Sequence, residues 1–167
     1  SGNSLRSLPD GLALLGSLRT LSLDGNLLGP SLLFSGGFDG PLADSLVDLD
    51  LSGNGLEVLP PSLKCLLQLS RLRLCRNKLH DLPASWGALR RLTCLDVSGN
   101  RLEGVPGEVL QLPQLQKLWL ADNPIDLPGL EATAGFTAFV QRQGRLGTAL
   151  AYGRITWGCA FGLCWSG

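Results

Sequence analysis

The side chains that most often carry catalysis or bind metals are sparse in this chain and form no known catalytic arrangement. The only histidine, His80, stands in a polar turn with no serine or cysteine motif to pair with it. The chain has neither a G-x-S-x-G nucleophile motif nor a glycine-rich phosphate loop. Asp48 and Asp50 share one face of a predicted strand, and paired carboxylates can act as acid and base. On an open sheet we expect these carboxylates to be solvated, so we predict no catalytic activity and no cofactor.

The cysteines argue against a metal site and against a disulfide framework. Zinc sites need closely spaced ligands, and disulfide scaffolds need paired cysteines. The cysteines of this chain are odd in number and scattered, without a C-x-x-C pair: Cys65, Cys75, Cys94, Cys159 and Cys164. We therefore predict no bound metal and reduced thiols in a cytoplasmic or nuclear setting, and of these two we predict a cytoplasmic location.

The charge balance of the chain limits which kinds of binding partner are expected. Lysine plus arginine equals aspartate plus glutamate at 14 each, so the formal net charge is zero. Without a basic stripe, neither nucleic acid nor an anionic membrane surface is expected as the main partner. The apolar C-terminal stretch is short for a membrane span and contains Arg154, so we predict no membrane association.

A fixed period organises most of the chain. Each of five successive segments carries the pattern L-x-x-L-x-L-x-x-N, with Val97 in place of one leucine. A sixth asparagine near the start, in Ser1-Gly2-Asn3, matches the turn that closes this pattern. A constant period of this length indicates a stacked array of repeats, the first of them partial, and we expect that a natural N-terminal portion precedes it. The asparagines are separated by 23, 28, 23, 23 and 23 residues: Asn3, Asn26, Asn54, Asn77, Asn100 and Asn123.

Each part of the repeat predicts a local structure. The alternation of apolar residues before the asparagine predicts a short strand with one buried face. The asparagine follows where the chain turns, and its amide can bond to local backbone groups, so we predict a buried ladder of asparagines. An apolar residue at every third position after a proline predicts a helical or 3₁₀ return. Trp86 occupies a leucine position of such a return and is predicted to lie in the core.

This pattern resembles the leucine-rich-repeat family over residues 1 to about 127. The resemblance implies an α/β solenoid, a curved horseshoe with a parallel concave sheet and short helical or 3₁₀ segments on the convex side. The Leu-Pro-x-x-Leu returns with their 23-residue period are similar to intracellular members that act as small-GTPase scaffolds. The resemblance implies a monomer that binds a protein partner, with a small GTPase or a phosphatase complex as candidates.

The concave surface can be read from the strands, because alternate side chains point to opposite faces of a sheet. Equivalent residues of neighbouring repeats stand about 4.8 Å apart. Asp50, Arg73 and Asp96 should therefore form a row of alternating charge, beside the pair Asp48 and Arg71. The predicted partner-binding residues are Asp48, Asp50, Arg71, Arg73, Arg76, Asp96, Lys117 and Trp119.

Two interpretations of this surface stay open. The charges either neutralise one another or form a recognition patch, and arginine and tryptophan are common at binding hot spots. Trp119 either contacts the partner, packs under the C-terminal segment or has neither role. If the patch binds a partner, charge reversal at Arg71, Arg73 and Arg76 should abolish binding without lowering thermal stability.

Two segments depart from the period. One repeat has five additional residues in a glycine- and proline-rich loop, 29–41. We expect this loop to be a surface bulge in which Leu32, Leu33 or Phe34 fills the core. Phe38, flanked by glycines, is the candidate loop anchor for a partner.

The repeats end after Asn123, and two further segments follow. Residues 128–145 predict one capping helix with Phe136 and Phe139 on its apolar face. Residues 146–167 are apolar and glycine-rich without a period. We predict an irregular tail there, either disordered or a truncated segment.

The sequence thus predicts a non-catalytic protein-interaction module that binds its partner through the concave face and serves as an intracellular signalling scaffold or adaptor. The alternative is that the array is the recognition portion of a larger regulatory enzyme of the kinase, GTPase or ubiquitin-ligase type. A receptor ectodomain is the other alternative.

Overall fold

The computed structural model describes residues 2–32, 34–144, 163 and 164. Each L-x-x-L-x-L-x-x-N segment contributes one short strand, and the strands pair in parallel in chain order. The prediction of one stacked strand per repeat is therefore confirmed. The strands are β1 (Thr20–Ser22), β2 (Asp48–Asp50), β3 (Arg71–Arg73), β4 (Cys94–Asp96), β5 (Lys117–Trp119) and β6 (Leu163–Cys164).

Short helical segments form the opposite side of the array. In the segment Pro61–Cys65, Pro61 occupies the start of the helix, where its fixed φ suits the turn and its missing N–H costs nothing. The parallel open sheet together with these segments confirms the predicted solenoid. The segments are η1 (Asp10–Leu14), η2 (Pro41–Asp44), η3 (Pro61–Cys65), η4 (Ala84–Ala88) and α1 (Gly107–Leu110).

The core lies between the sheet and the helical side. The central leucines of four successive strands, Leu49, Leu72, Leu95 and Leu118, are each 0% exposed. Trp86 on η4 is 1% exposed, which confirms its prediction as a core residue. Burying a leucine side chain stabilises the fold by about 1.5–3 kcal/mol. The repeated leucines therefore supply most of the driving force for folding.

The predicted asparagine ladder is confirmed for its interior members, because Asn26, Asn54, Asn77 and Asn100 are buried. The prediction that all six are buried is wrong at the two ends of the array, where Asn3 is exposed and Asn123 is half-buried. Asn100 is typical: its Nδ2 donates to the carbonyl oxygens of Leu74 and Val97 at 3.0 and 2.9 Å, and its Oδ1 accepts from the N–H of Leu79 at 3.0 Å. One amide therefore links its own strand to the preceding repeat. The partial first repeat joins the same ladder, because the N–H of Leu5 donates to Asn26 Oδ1 at 3.1 Å.

The loop at 29–41 packs into the core. Leu32 is 7% exposed and Phe34 8%, which agrees with the prediction that this loop fills the core, while Leu33 lies outside the described residues. Phe38 is 0% exposed, its ring centroid lies 5.0 Å from that of Phe34, and its N–H donates to Ser62 Oγ at 3.1 Å. The prediction of Phe38 as a loop anchor for a partner is wrong, because no part of its ring reaches solvent.

The C-terminal cap consists of two helices, α2 (Leu127–Ala132) and α3 (Phe136–Gly144), where the sequence predicted one. The break falls at Gly135, whose φ of +92° lies outside the helical region. Phe136 and Phe139 are buried as predicted. Residues 145–162 and 165–167 lie outside the described residues, so the predicted irregular tail stays a prediction, although 163 and 164 pair with β5.

Arg142 connects the cap to the last full repeat, and its removal gives a test of the capping role. Its Nη2 donates to the carbonyl oxygen of Leu110, the last residue of α1, at 2.6 Å. A charged hydrogen bond to a helix C-terminus contributes about 1.5–3 kcal/mol. We expect Arg142→Met to lower the free energy of unfolding by about 2 kcal/mol in urea titrations followed by circular dichroism. Gln141→Met, on the exposed face of the same helix, should change it by less than about 0.5 kcal/mol; equal losses would contradict the capping role.

Candidate functional site

The strand register brings the predicted concave residues together. Asp48 pairs with Arg71 and Asp50 with Arg73 across β2 and β3. Across β4 and β5, Asp96 pairs with Trp119. The two rows read from the sequence therefore lie side by side as expected, and the central leucine of each strand points away from them into the core.

Asp48 is the centre of an ion-pair cluster on β2 and β3. Its Oδ2 lies 2.8 Å from Arg71 Nε, and its Oδ1 accepts from Arg73 Nη2 at 2.8 Å. The Asp48 side chain is 7% exposed, whereas those of Arg71 and Arg73 are 57% and 43% exposed. Two arginines from one strand thus cover a buried carboxylate, and a buried charge is tolerated only when it is paired in this way.

Arg73 turns toward β2, which changes the predicted row of alternating charge. Its Nε lies 3.1 Å from Asp50 Oδ2, at an angle that makes an ion pair without a hydrogen bond. Asp96, on the other side of Arg73, instead accepts from the N–H and Oγ of Ser98 at 3.0 and 2.6 Å. The predicted pairing of Arg73 with Asp50 is confirmed. No ion pair joins Arg73 to Asp96 within the part of the chain that the structure describes.

The Asp48 cluster also corrects the expected outcome of charge reversal. Reversal at Arg71 and Arg73 would place negative side chains against the buried Asp48 carboxylate. Leaving a buried charge without its partner is strongly destabilising. Contrary to the expectation from the sequence, we therefore expect this reversal to lower thermal stability. A loss of binding in the reversed variant would then not by itself test the binding surface.

The remaining predicted residues occupy two places. Arg76 lies past the end of β3, in the turn, with a φ of +55° and an exposed side chain. Lys117 and Trp119 both project from β5, with Lys117 exposed and Trp119 half-buried. The indole is therefore accessible in part from the concave side. Its role in binding stays a prediction.

A polar groove of about 780 Å³ runs along the edge of the sheet where the strands begin, and the sequence analysis did not identify it. The residue just before the first leucine of each repeat contributes to it, and these positions are polar in every repeat. This row of polar residues before the first leucine of each repeat is the sequence feature that could have indicated the groove. The groove is lined by Gly16, Ser17, Arg19, Asp44, Ser45, Val47, Gln68, Ser70, Arg91, Thr93 and Gln114.

The described residues contain neither a metal-binding cluster nor a membrane-spanning helix. No group of three histidine, cysteine or acidic side chains comes together there in a way that could hold a metal ion. No helix there has both the length and the apolar character needed to span a bilayer. Three cysteines in the described part, Cys65, Cys75 and Cys94, are free and half-buried.

The repeats match known family models. A model described as "Leucine rich repeat" matches residues 67–125, and a second, described as "Leucine Rich Repeat", matches residues 45–66. The two matches are contiguous and cover β2 to β5 together with the asparagine turns between them. Four of the five segments that carry the L-x-x-L-x-L-x-x-N pattern lie within the matched residues, and the first segment, 18–26, lies outside them.

Individual proteins are similar to this chain over part of their length. A mouse (Mus musculus) protein named "Transforming growth factor beta activator LRRC32" is 43% identical over 84 residues, which is 50% of this chain and 12% of that protein. An internalin of Listeria monocytogenes superposes with a TM-score of 0.57 at 22% identity, covering 72% of this chain and 33% of the internalin chain. A Leptospira interrogans leucine-rich-repeat protein gives a TM-score of 0.50 at 29% identity, covering 77% and 43%. The chain spans less than half the length of each.

Proposed function

Because the chain belongs to the leucine-rich-repeat family, we propose that it is a non-catalytic module that binds a protein partner through its concave face. The observation that carries this proposal is Trp119, a partly exposed indole on a strand of the concave sheet. Tryptophan buries a large area on binding and is enriched among the residues that dominate interface energies. Lys117 on the same strand adds an exposed charge beside it.

The two ends of the concave sheet differ in what they offer a partner. On β2 and β3 the charges of Asp48, Arg71 and Arg73 are joined in ion pairs. A partner would have to break or desolvate these pairs to use them, which lowers their net contribution to affinity. On β4 and β5 the side chains of Asp96, Lys117 and Trp119 form no ion pair with another described residue. We therefore place the centre of the binding surface at β4 and β5.

Photo-crosslinking tests the surface directly. A photoreactive amino acid would replace Lys117 on β5 or, as the matched control, Lys64 on the convex segment η3; both lysines are exposed. We expect the concave probe to capture a protein that the convex probe does not. Capture that is equal from both positions, or absent from Lys117, would reject the concave face as the binding surface.

Trp119→Ala then measures the contribution of the indole. Removal of a hot-spot tryptophan costs about 2 kcal/mol or more, so we expect at least about thirty-fold weaker binding of the captured partner by calorimetry. Leu14→Ala is the control, because Leu14 is a large apolar residue that is 72% exposed on the convex side. If both variants bind equally well, Trp119 is not part of the interface.

The finer proposal is an intracellular scaffold or adaptor that acts as a cytoplasmic monomer, with a small GTPase or a phosphatase complex as partner. The three free thiols of the described part support a reducing compartment. The alternative proposal is that the module is the recognition portion of a larger regulatory enzyme of the kinase, GTPase or ubiquitin-ligase type, or of a receptor ectodomain.

The similarity to the transforming growth factor beta activator favours a second candidate. In that case the partner is a secreted growth factor rather than a cytoplasmic protein. Crosslinking in parallel against a cytosolic extract and against secreted proteins separates the two candidates, because each predicts capture from one source only.

A further inference from the structure

We propose that Asp96 and Trp119 together bind a cationic side chain, lysine or arginine, of the protein partner. This inference rests on the proposed function of the concave face and specifies the chemistry of its partner. The two residues are register partners on adjacent strands. Their side chains therefore leave the same face of the sheet about 4.8 Å apart at the backbone.

The carboxylate of Asp96 is the anionic half of this site. Both of its hydrogen bonds, from the N–H and Oγ of Ser98, end on Oδ1. Neither a cation nor a hydrogen-bond donor contacts Oδ2 in the described part of the chain. Ser98 fixes the orientation of the carboxylate without neutralising it. The negative charge of Asp96 is thus half-buried, oriented and available to a cation that approaches from the concave side.

The neighbouring arginine does not supply that cation. Arg73 is the register partner of Asp96 on the other side. Its guanidinium, however, is bound to Asp48 at 2.8 Å and lies 3.1 Å from Asp50. Movement toward Asp96 would leave the buried Asp48 carboxylate without one of its two partners. The Asp48 cluster therefore keeps Arg73 away from Asp96.

Trp119 is the aromatic half of the site. The face of an indole attracts a cation within about 6 Å of the ring centre, and tryptophan is the strongest of the aromatic residues in this interaction. A carboxylate one strand away adds a direct charge partner for the same cation. A lysine or arginine placed between them would gain both interactions, whereas a neutral side chain would gain only contact area.

Lys117 is a nearby cation that could compete. It projects from the same strand and face as Trp119, and its amine has no carboxylate within 4.0 Å among the described residues. Its positive charge weakens the attraction of an incoming cation. Removing that charge should therefore strengthen binding, which is the opposite of what an anionic partner predicts.

Three short peptides test this site on the full chain. They are acetyl-Ala-Ala-Arg-Ala-Ala-amide and the same sequence with citrulline, which is neutral and similar in shape, or with glutamate. Binding is followed through the indole N–H resonance of Trp119, assigned by its loss in Trp119→Phe. We expect saturable shifts with the arginine peptide and at least about ten-fold weaker binding of the other two.

Two substitutions complete the test. Asp96→Asn retains an oxygen that can accept from Ser98 but removes the charge, and it should weaken the arginine peptide about ten-fold. Lys117→Gln should strengthen it. Equal binding of the arginine and citrulline peptides, or no effect of Asp96→Asn, would overturn the inference.

The cation site and the proposed function can fail independently, and the experiments distinguish the two failures. If the partner captured through position 117 depends on Trp119 but not on Asp96, the concave face is the binding surface and the cation site is wrong. If the arginine peptide binds as expected but position 117 captures no protein, the cation site holds and the proposed function fails.

Discussion

Replacing Asn77 with alanine should lower the free energy of unfolding by about 3–5 kcal/mol, because it leaves two buried backbone N–H groups without an acceptor. Asn77 Oδ1 accepts from the N–H of Asn54 and of Leu56, both at 3.0 Å. Asn77 is 7% exposed, so water cannot replace the lost acceptor without opening the repeat. Each buried donor left unpaired costs about 1–3 kcal/mol.

Asn54 provides the matched control inside the same ladder. Its Nδ2 donates to the carbonyl oxygens of Leu23, Leu51 and Ser52, but its buried Oδ1 accepts no hydrogen bond. Asn54→Ala therefore removes a hydrogen-bond donor from three carbonyl oxygens and leaves no N–H group without an acceptor. Unpaired carbonyl oxygens are tolerated better than unpaired N–H groups. We expect its cost to be about 2 kcal/mol smaller than that of Asn77→Ala.

Urea titration of the two alanine variants measures this difference. Equal losses of stability would show that the asparagine oxygens contribute little and that the ladder is held by the amide N–H groups. A larger loss in Asn54→Ala would contradict the hydrogen-bond pattern itself.

The period of the sequence was sufficient to predict which residues share a face. Once Leu49, Leu72 and Leu95 are aligned, the register of every strand follows, because a slip by one residue would turn the leucines to water. The asparagine turns follow for the same reason. The strands, the core and the concave rows were predictable because each depends on a pattern repeated along the chain.

The direction of a side chain within a row was not predictable from the period. Register places Arg73 equally close to Asp50 and Asp96. The choice depends on Ser98, which binds Asp96, and on Asp48, which offers a second acceptor on the β2 side. These contacts involve side chains at different repeat positions. Only the folded arrangement shows that no cation among the described residues pairs with Asp96.

Phe38 illustrates a second limit. Glycines on both sides of an aromatic residue in an insertion suggest an exposed loop. In the structure the ring packs against Phe34, and the N–H of Phe38 bonds to Ser62, 24 residues away. The contacts of Phe38 occur only once along the array, so no repeated sequence pattern predicts them. The structure of an insertion is therefore harder to predict from the sequence than the structure of the repeats.

The insertion also sets a strict steric requirement at Gly29, the strictest among the glycines that the structure describes. A Cβ atom there would lie 2.2 Å from the carbonyl oxygen of Gly55 and 2.9 Å from that of Asn54. Both are backbone atoms of the next repeat, and the N–H of Gly29 donates to the same Asn54 oxygen at 3.0 Å. The close approach exists because the loop leaves the array here. No rotation of a side chain can relieve the contact.

We therefore expect Gly29→Ala to lower the free energy of unfolding by about 3 kcal/mol or more, measured by thermal and urea unfolding. Gly104→Ala is the control, because a Cβ atom at Gly104 meets nothing within 4 Å. That change should be neutral or slightly stabilising, since alanine restricts the unfolded chain. If the two variants unfold alike, the backbone of the insertion must shift freely against the next repeat. The buried positions of Phe34 and Phe38 argue against such freedom, because a displaced loop would carry both rings out of the core.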